Sequence, residues 1–359
     1  MDKKQKAKAD TQIPHIPEEI MEEILSMLPV KSLMKFQTVC KSWSNLISKS
    51  HFSKLHLQRS IDANRTSFVY LSGCDTNLAY EASTGKLVES ESVAVSILAY
   101  CNGLLCIGLG DDLLLWNPST KKAREIPTSP VEFPTPASTM ASAFFGLGHR
   151  SASDDYKLVR ISIFNDMDFQ TEVKIYSTNT NTWRRVGDFP YDYPLGRTGV
   201  FASGCLHWIV SVWEGGAHHH RIAMLDLADD SYGWIHMPDM GHKVPVFFDI
   251  GTLDGKLVVF RPPTNADGSS SIWILEDHNK EESWTTIRIA IDGVNRLEAF
   301  VFLQPLWFMK PGRILVRLGA KLVASFDVTG KRRCDMYIPH MLEWRMLNFV
   351  ESLVSPNLT

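Results

Sequence analysis

The sequence has few of the features that mark metal centres, disulfide frameworks and membrane spans. Its six cysteines form no Cys-x-x-Cys pair, although zinc-bound recruitment domains hold their metal through such pairs. Scattered cysteines without a pairing framework are typical of proteins that stay reduced in the cytosol or nucleus. The two most apolar windows, residues 97–109 and 299–309, are too short to span a bilayer. We therefore expect neither a metal site nor contact with a membrane.

An excess of charge of one sign is also missing. The 359 residues include 37 Lys and Arg against 40 Asp and Glu, a formal net charge of −3, so nucleic acid is not expected as a partner. The opening MDKKQKAKAD is polar and is not followed by the apolar core that a signal peptide requires. We expect residues 1–13 to be a disordered basic tail of a protein located in the cytoplasm, the nucleus or both.

Between residues 14 and 60 the sequence does contain a helical segment, and it is more apolar than a unit of its size can bury. Pro17 and the two glutamates after it suit the first turn of a helix. Ile20, Ile24 and Leu28 then recur every four residues, which places them on one stripe. A proline ends this helix, and a second amphipathic run follows. Because so short a segment cannot enclose two stripes, part of its apolar surface requires a partner.

This segment resembles the F-box, the adaptor-binding module of SCF-type ubiquitin ligases. The resemblance rests on Ile-Pro-Glu-Glu-Ile at residues 16–20, Leu-Pro-Val-Lys-Ser-Leu at 28–33 and Val-Cys-Lys-Ser-Trp-Ser-Asn-Leu-Ile at 39–47. Ile16 stands where the family usually has Leu, a change that conserves volume. The resemblance implies a three-helix F-box that docks on a Skp-family adaptor and, through it, on cullin; an ordinary helical hairpin capping a larger domain is the alternative.

The F-box resemblance also indicates which residues contact the adaptor. They are the conspicuous apolar and proline positions of the motif: Pro17, Ile20, Ile24, Leu28, Pro29, Leu33, Val39 and Trp43. Some of them pack the helices against one another instead, and Trp43 and Leu25 are the first candidates for that role. The sequence leaves the division between docking and packing open.

After the helical segment the pattern changes to short apolar runs separated by Gly, Asn, Asp and Pro, which is typical of many short strands. Equivalent strand ends at Asn117, Ser177, Asp226, Ile274 and Asp327 follow one another at steps of 60, 49, 48 and 53 residues. A period near fifty with about four strands per unit predicts the blades of a kelch-like β-propeller. A degenerate unit before the first clear one favours six blades, and an irregular β-sandwich or barrel is the alternative.

This region, residues 61–359, resembles the plant F-box-associated domain of S-locus-type F-box proteins. The matching pieces lie at residues 101–106, 117–121, 145–148, 154–160, 206–208, 283–285 and 350–354. His149 and Arg150 depart from the family pattern, so nothing about their loop is transferred. The resemblance implies an all-β propeller that binds a client protein and presents it for ubiquitination.

No set of residues in the sequence points to catalysis. The histidines at 218–220 lie in a Gly-rich hairpin and lack acids at a spacing that would orient them as metal ligands. The Asp pairs at 111–112 and 154–155 fall where β-turns prefer Asp. We therefore expect a non-catalytic protein that needs no cofactor. A propeller enzyme of the galactose-oxidase kind and a scaffold that uses its F-box outside a ligase are the alternatives.

Two expectations concern the propeller itself. The loop VEFPTPAST at residues 131–139 has two prolines and no charge after Glu132, so we predict that Phe133 anchors the unknown client. The apolar segment 349–354 lies beyond the last clear repeat. We predict that it pairs near residues 68–71 and closes the ring, because an open ring would leave strand edges exposed.

Overall fold

Four helices precede twenty-four strands in the part of the chain that can be described. The computed structural model describes residues 16–63, 65–70, 78–81, 86–89, 95–133, 139–165, 170–239, 249–253, 255–261, 269–278, 280, 283–290, 304–309, 313–318, 322–327, 331–337 and 346–357. The predicted tail, residues 1–13, lies outside these ranges. Within them, none of the helices has the length and apolar character that a bilayer span requires.

The helical unit contains one helix more than predicted. Its members are α1 (Glu18–Ser26), α2 (Val30–Phe36), α3 (Lys41–Ile47) and α4 (Ser50–Asp62). The expectation of three helices is wrong, because residues 50–62 form a fourth helix. This helix packs through Phe52, His56 and Ser60, which are buried and spaced four residues apart. Two of these three are polar, so hydrophobic periodicity does not reveal the buried face. His56 donates from Nε2 to the Leu28 carbonyl at 2.9 Å, which pairs one of its two buried ring nitrogens.

The helices enclose a small core that the far end of the chain completes. Its buried members are Leu25, Val30, Leu33, Leu46, Ile47, Phe52 and Leu353. The helices alone supply six of these side chains, whereas Leu353 follows the last strand. The helical unit is therefore packed against the β-region rather than tethered to it by a loop.

Twenty strands form five successive four-stranded antiparallel units, which we call blades 1 to 5. Blade 1 contains β4 (Val95–Cys101), β5 (Leu104–Leu109), β6 (Asp112–Asn117) and β7 (Lys122–Ile126); blade 2 contains β8 (Thr139–Arg150), β9 (Asp155–Asn165), β10 (Thr171–Ser177) and β11 (Thr182–Gly187). Blade 3 contains β12 (Tyr193–Ala202), β13 (Cys205–Glu214), β14 (Ala217–Asp226) and β15 (Tyr232–His236). Blade 4 contains β16 (Asp249–Leu253), β17 (Lys256–Arg261), β18 (Ser269–Leu275) and β19 (Trp284–Ala290); blade 5 contains β20 (Gln304–Met309), β21 (Arg313–Leu318), β22 (Leu322–Asp327) and β23 (Arg332–Tyr337).

The two ends of the β-region meet, as the sequence predicted. Strand β1 (Thr66–Tyr70) pairs antiparallel with β24 (Met346–Val350), and Phe68 lies opposite Asn348. Residues 351–354 continue beyond the strand, and residue 71 lies outside the described residues. Strands β2 (Leu78–Glu81) and β3 (Lys86–Glu89) form a second pair. Neighbouring units contact one another in chain order, from β4 through β8, β12, β16 and β20 to β24, so the β1–β24 pair follows blade 5.

The hydrophobic cores lie between blades. One core joins blades 1 and 2, a second joins blades 2 and 3, a third joins blades 3 and 4, and a fourth joins blades 4 and 5. Strands β8 and β12 pair in parallel, and Gly146 lies opposite Gly199. The backbone at both glycines lies close to the ring of Trp208. A Cβ at Gly199 would lie 2.4 Å from the ring of Trp208, and a Cβ at Gly146 would lie 2.9 Å from it. Glycine at both positions thus leaves room for the buried indole.

Candidate docking surfaces

One face of α1 is apolar and exposed. Ile16, Ile20, Ile24 and Met27 have exposed fractions between 47% and 58%, and their spacing places them on the same side of the helix. Val39, in the turn after α2, is 61% exposed. These five side chains are the majority of the nine large hydrophobic residues that are exposed in the described part of the chain. We call the four residues of α1 and its approach the α1 stripe.

The structure divides the residues predicted for docking into exposed and packed ones. Pro17 and Pro29 are exposed at the N-termini of α1 and α2, and Leu28 is half-buried. Trp43 packs against Phe36, with ring centroids 5.3 Å apart.

Leu33 requires a correction, because it is completely buried in the helical core. Its position in the motif indicated an apolar residue but not which way the residue faces. Conversely, the docking set omitted Ile16 and Met27, although both continue the stripe four residues before Ile20 and three residues after Ile24. Extending the helical period in both directions would have found them.

Hydrogen bonds fix the end of α1 against the rest of the molecule. Arg65 donates from one guanidinium nitrogen to the carbonyls of Met27 and Leu28, both at 3.0 Å. Arg59 donates to the Glu23 carbonyl at 2.8 Å. Burial and, to a smaller extent, the charge of Arg65 lower the pKa of His56, which favours its neutral form. The α1 stripe is therefore presented on a rigid base.

The segment at residues 351–355, which we call the C-terminal segment, lies between the helices and blade 1. Asn117 donates from Nδ2 to the carbonyls of Ser352 at 3.0 Å and Val354 at 2.7 Å. Ser352 donates from Oγ to the Asn102 carbonyl at 3.0 Å. Gly103 has φ +84°, and a Cβ there would lie 2.3 Å from Ser352 Oγ. Since Leu353 enters the helical core, this segment joins the two units.

A second exposed apolar residue set lies on blade 2. The ring of Phe133, 50% exposed, packs on the buried ring of Phe164 with centroids 5.6 Å apart. Residues 134–138 of the same loop lie outside the described residues. Phe133, the predicted client anchor, is thus half exposed and packs on a buried aromatic ring.

Buried charges hold the residues that precede Phe133. Glu172, almost fully buried, lies between Arg160 at 3.2 Å and Lys174 at 3.4 Å. Lys174 also donates to the Pro130 carbonyl at 2.7 Å and pairs with Glu132 at 2.9 Å. A hydrogen bond and the charge of Lys174 lower the pKa of the Glu132 carboxyl. The charges of Arg160 and Lys174 are thus balanced by those of Glu132 and Glu172. These contacts hold the residues before Phe133 against β9 and β10.

The side chains that could carry chemistry are paired, buried or divergent where the structure describes them. Asp155 is buried, and its Oδ1 accepts hydrogen bonds from Thr178 Oγ1 at 3.0 Å and the Asn179 N–H at 3.1 Å. Burial raises the pKa values of the Cys101 and Cys106 thiols, which keeps both protonated. His219 and His220 are consecutive on β14, so they point to opposite faces. In the described ranges no group of three His, Cys, Asp or Glu side chains is arranged to hold a metal ion.

A pair of histidines connects blades 3 and 4. Nε2 of His207 lies 2.8 Å from Nε2 of His278, and Nδ1 of His207 lies 3.2 Å from the Val200 carbonyl. His207 is fully buried, and burial together with the neighbouring His278 lowers its pKa to about 3. Burial also lowers the pKa of His278. The junction between these blades therefore contains two neutral imidazoles near neutral pH.

This pair predicts that acid destabilises the fold. A histidine in the unfolded chain titrates near pH ~6.5, well above His207 in the folded state. The unfolded state therefore takes up the proton first, and stability falls as the pH decreases from ~6.5 towards 3, by at most about 1.4 kcal/mol per pH unit for this group. Melting temperatures between neutral and mildly acidic pH should fall more steeply for the wild type than for His207→Gln. Equal slopes would contradict this assignment.

Two family models match the chain. The model described as "F-box associated beta propeller domain" matches residues 41–351. The chain belongs to the F-box-associated β-propeller family. The model described as "F-box domain" matches residues 13–55, which include the α1 stripe. The predicted family and the predicted all-β propeller behind an F-box are thereby confirmed.

Relatives of the family match over most of their length. The F-box protein CPR1 of Arabidopsis thaliana is 28% identical, with 90% of this chain and 84% of that protein covered. An F-box/kelch-repeat protein of the same plant is 28% identical, with coverages of 92% and 96%. Among solved structures, AztD of Citrobacter koseri has 11% identity and a TM-score of 0.40, with 81% of this chain and 87% of that chain covered. So low a TM-score adds nothing about fold or function.

The F-box, the associated propeller and the F-box relatives together support a role as a substrate adaptor in SCF-type ubiquitin ligases. Proteins of the F-box family are typically non-catalytic adaptors. F-box domains generally bind Skp1-type adaptors, and α1 carries an exposed apolar face that suits such a contact.

Proposed function

We propose that this chain is the substrate-recognition subunit of an SCF-type ubiquitin ligase in the cytoplasm or nucleus. Its helical unit, residues 14–60, docks on a Skp-family adaptor, and the adaptor connects it to cullin. The propeller, residues 61–359, binds a client protein. The observation that supports this most strongly is the α1 stripe, whose four apolar side chains are about half exposed.

Exposed apolar side chains on a rigid base are what a docking helix requires. Removing such residues from water on binding contributes roughly 25 cal/mol per Å² of apolar area, and anchors of this kind dominate interface energies. Leu25 and Leu33 pack inward on the same helices, so the stripe can be covered by a partner without unfolding the unit. Pro17 and Pro29 lie next to the stripe in the sequence, and Val39 is exposed in the turn after α2; all three remain candidates for the contact.

The proposed mechanism is proximity. The client is held by the propeller, the adaptor by the helices, and transfer of ubiquitin is catalysed by other subunits. Holding two reactants together raises their effective concentration, provided that the geometry permits both contacts at once. The C-terminal segment favours a fixed geometry, because Asn117 and Leu353 join blade 1 to the helical core.

Reconstitution from purified components tests this function. We expect the full chain to bind a Skp-family adaptor in a saturable complex with a negative heat-capacity change, and to bring cullin into the same complex. Binding should depend weakly on salt, because the α1 stripe is uncharged. Failure to bind the adaptor would refute the proposal. Adaptor binding without cullin recruitment would favour a scaffold acting outside a ligase.

A further inference from the structure

The end of α1 is held by a residue that lies outside the F-box. The last carbonyls of a helix have no donor within it, and those of Met27 and Leu28, where α1 ends, accept hydrogen bonds from Arg65. One guanidinium nitrogen donates to both carbonyls at 3.0 Å. Its positive charge also suits the negative end of the helix dipole. Arg65 therefore fixes the part of α1 that presents Ile24 and Met27.

The backbone of Arg65 belongs to a different structure, the antiparallel pair of β1 and β24. Its carbonyl accepts a hydrogen bond from the Glu351 N–H at 3.3 Å, which continues the register in which Thr66 lies opposite Val350. Its own N–H donates to the Ser60 carbonyl of α4 at 2.7 Å. Arg65 thus connects the helices to the strand pair that follows blade 5.

Two other titratable groups lie near the same helix end. His56 of α4 also donates to the Leu28 carbonyl. Burial lowers the pKa of His56 most strongly, the bond to Leu28 opposes this shift, the charge of Arg65 lowers the pKa further, and the charge of Glu351 raises it. Because His56 keeps its own bond to Leu28, removal of the Arg65 guanidinium should loosen the end of α1 without leaving that carbonyl unpaired.

The side-chain and backbone contacts of Arg65 depend on each other. If β1 separates from β24, the Arg65 backbone loses its partner, and the side chain is no longer held where it reaches α1. If a partner holds α1, the guanidinium is held in turn. Leu353 strengthens this link, because it follows Glu351 by two residues and packs in the helical core. When one contact serves two events, each event favours the other by the same factor.

We infer that Arg65 is a positioning residue for adaptor docking and couples that docking to the pairing of β1 with β24. The inference rests on the proposed function, since it concerns adaptor binding by the same α1 stripe. It goes beyond that function because it makes adaptor affinity depend on two strands at the ends of the propeller region. Arg65 acts through the end of α1 and not through a contact of its own with the adaptor.

The first test measures the adaptor affinity of the full chain by titration calorimetry. Arg65→Met keeps an unbranched side chain but removes the donor, and it should weaken binding about tenfold, the effect of losing one charge-assisted hydrogen bond. Arg65→Lys should recover most of the affinity, since a single nitrogen makes both bonds in the wild type. Arg124→Met removes an arginine contact to Asn181 between blades 1 and 2. It is the matched control and should bind like the wild type.

The second test measures hydrogen exchange of the full chain with and without saturating adaptor. Bound adaptor should slow amide exchange in β1 and β24 of the wild type by about tenfold, because the coupling acts equally in both directions. This protection should be lost in Arg65→Met. Exchange in β17 of blade 4 should not change and serves as the internal control. A merely structural role of Arg65 would lower the melting temperature without linking adaptor binding to these strands.

Equal adaptor affinity of Arg65→Met and the wild type would overturn the inference. Failure of Arg65→Lys to recover the affinity, or unchanged exchange of β1 and β24 when the adaptor binds, would do the same. If Arg65→Met no longer melts cooperatively, Arg65→Lys and the exchange experiment on the wild type decide. If the wild type does not bind the adaptor, the proposed function fails and the inference fails with it. If the wild type and Arg65→Met bind equally well, the proposed function stands and only the inference fails.

Discussion

Replacing Ile20 and Ile24 by Asp is expected to abolish adaptor binding while the protein remains folded. Both residues are about half exposed at the centre of the α1 stripe. Each apolar anchor of this kind contributes about 2 kcal/mol or more when it is central to an interface, and a carboxylate facing an apolar partner adds a desolvation cost. Together these effects reduce affinity by at least about a thousandfold.

The adaptor experiment has a matched control on the same molecule. Trp213→Asp introduces the same charge at an apolar residue of blade 3 that is 60% exposed, and it should leave adaptor binding unchanged. Co-purification of adaptor and cullin, followed by titration of the purified chain, measures the effect. Melting temperatures of both variants should stay close to that of the wild type. Undiminished adaptor binding by the double variant would remove the α1 stripe from the docking surface.

Truncation before Met346 is expected to destroy cooperative folding. It removes β24, so that β1 loses its partner and an unpaired strand edge becomes available for aggregation. It also removes Leu353 from the helical core and leaves the buried Asn117 side chain without its two carbonyl acceptors. An unsatisfied buried polar group alone costs about 1–3 kcal/mol.

Two milder variants accompany the truncation. A chain that ends at Pro356 keeps β24 and the C-terminal segment, so it should melt like the full chain. Asn117→Ala removes the donor but keeps Leu353, and it should lower the melting temperature without abolishing cooperativity. Calorimetry and light scattering during heating measure both effects. If the long truncation melts cooperatively at the wild-type temperature, ring closure by β24 does not stabilise the fold.

Some of these features could be predicted because they depend on local periodicity. Ile20 and Ile24 follow the helical repeat, and Pro17 precedes the helix that the sequence predicts after it. Pro29 is predicted only to end that helix, whereas it also forms the N-cap of α2. The pairing of β24 with β1 could be predicted because an apolar run beyond the last repeat has few other strands with which it can pair. The paired residues are shifted from the predicted ones, because residues 346–350 pair with 66–70, whereas the prediction placed 349–354 beside 68–71.

Other features could not be predicted because they depend on contacts between distant segments. Leu33 and Ile24 are both apolar helix residues, and only the three-dimensional packing decides that Leu33 is buried and Ile24 exposed. Asn117 was recognised as part of a motif, but its acceptors lie more than two hundred residues away in the sequence. The charges of Arg160 and Glu172 suggest an exposed strand, whereas their mutual pairing allows both to be buried. The role of Phe133 in binding the client stays a prediction.

The pairing of β1 with β24 has a consequence for biosynthesis. Strand β1 leaves the ribosome before blades 1 to 5 have been made, and its partner β24 follows all five blades in the chain. Until β24 has been made, strand β1 has no partner, and the helical core lacks Leu353. Nascent chains of this protein should therefore depend on chaperones for most of translation. A stalled or prematurely terminated product would be recognised as unfolded rather than joining a ligase in partly active form.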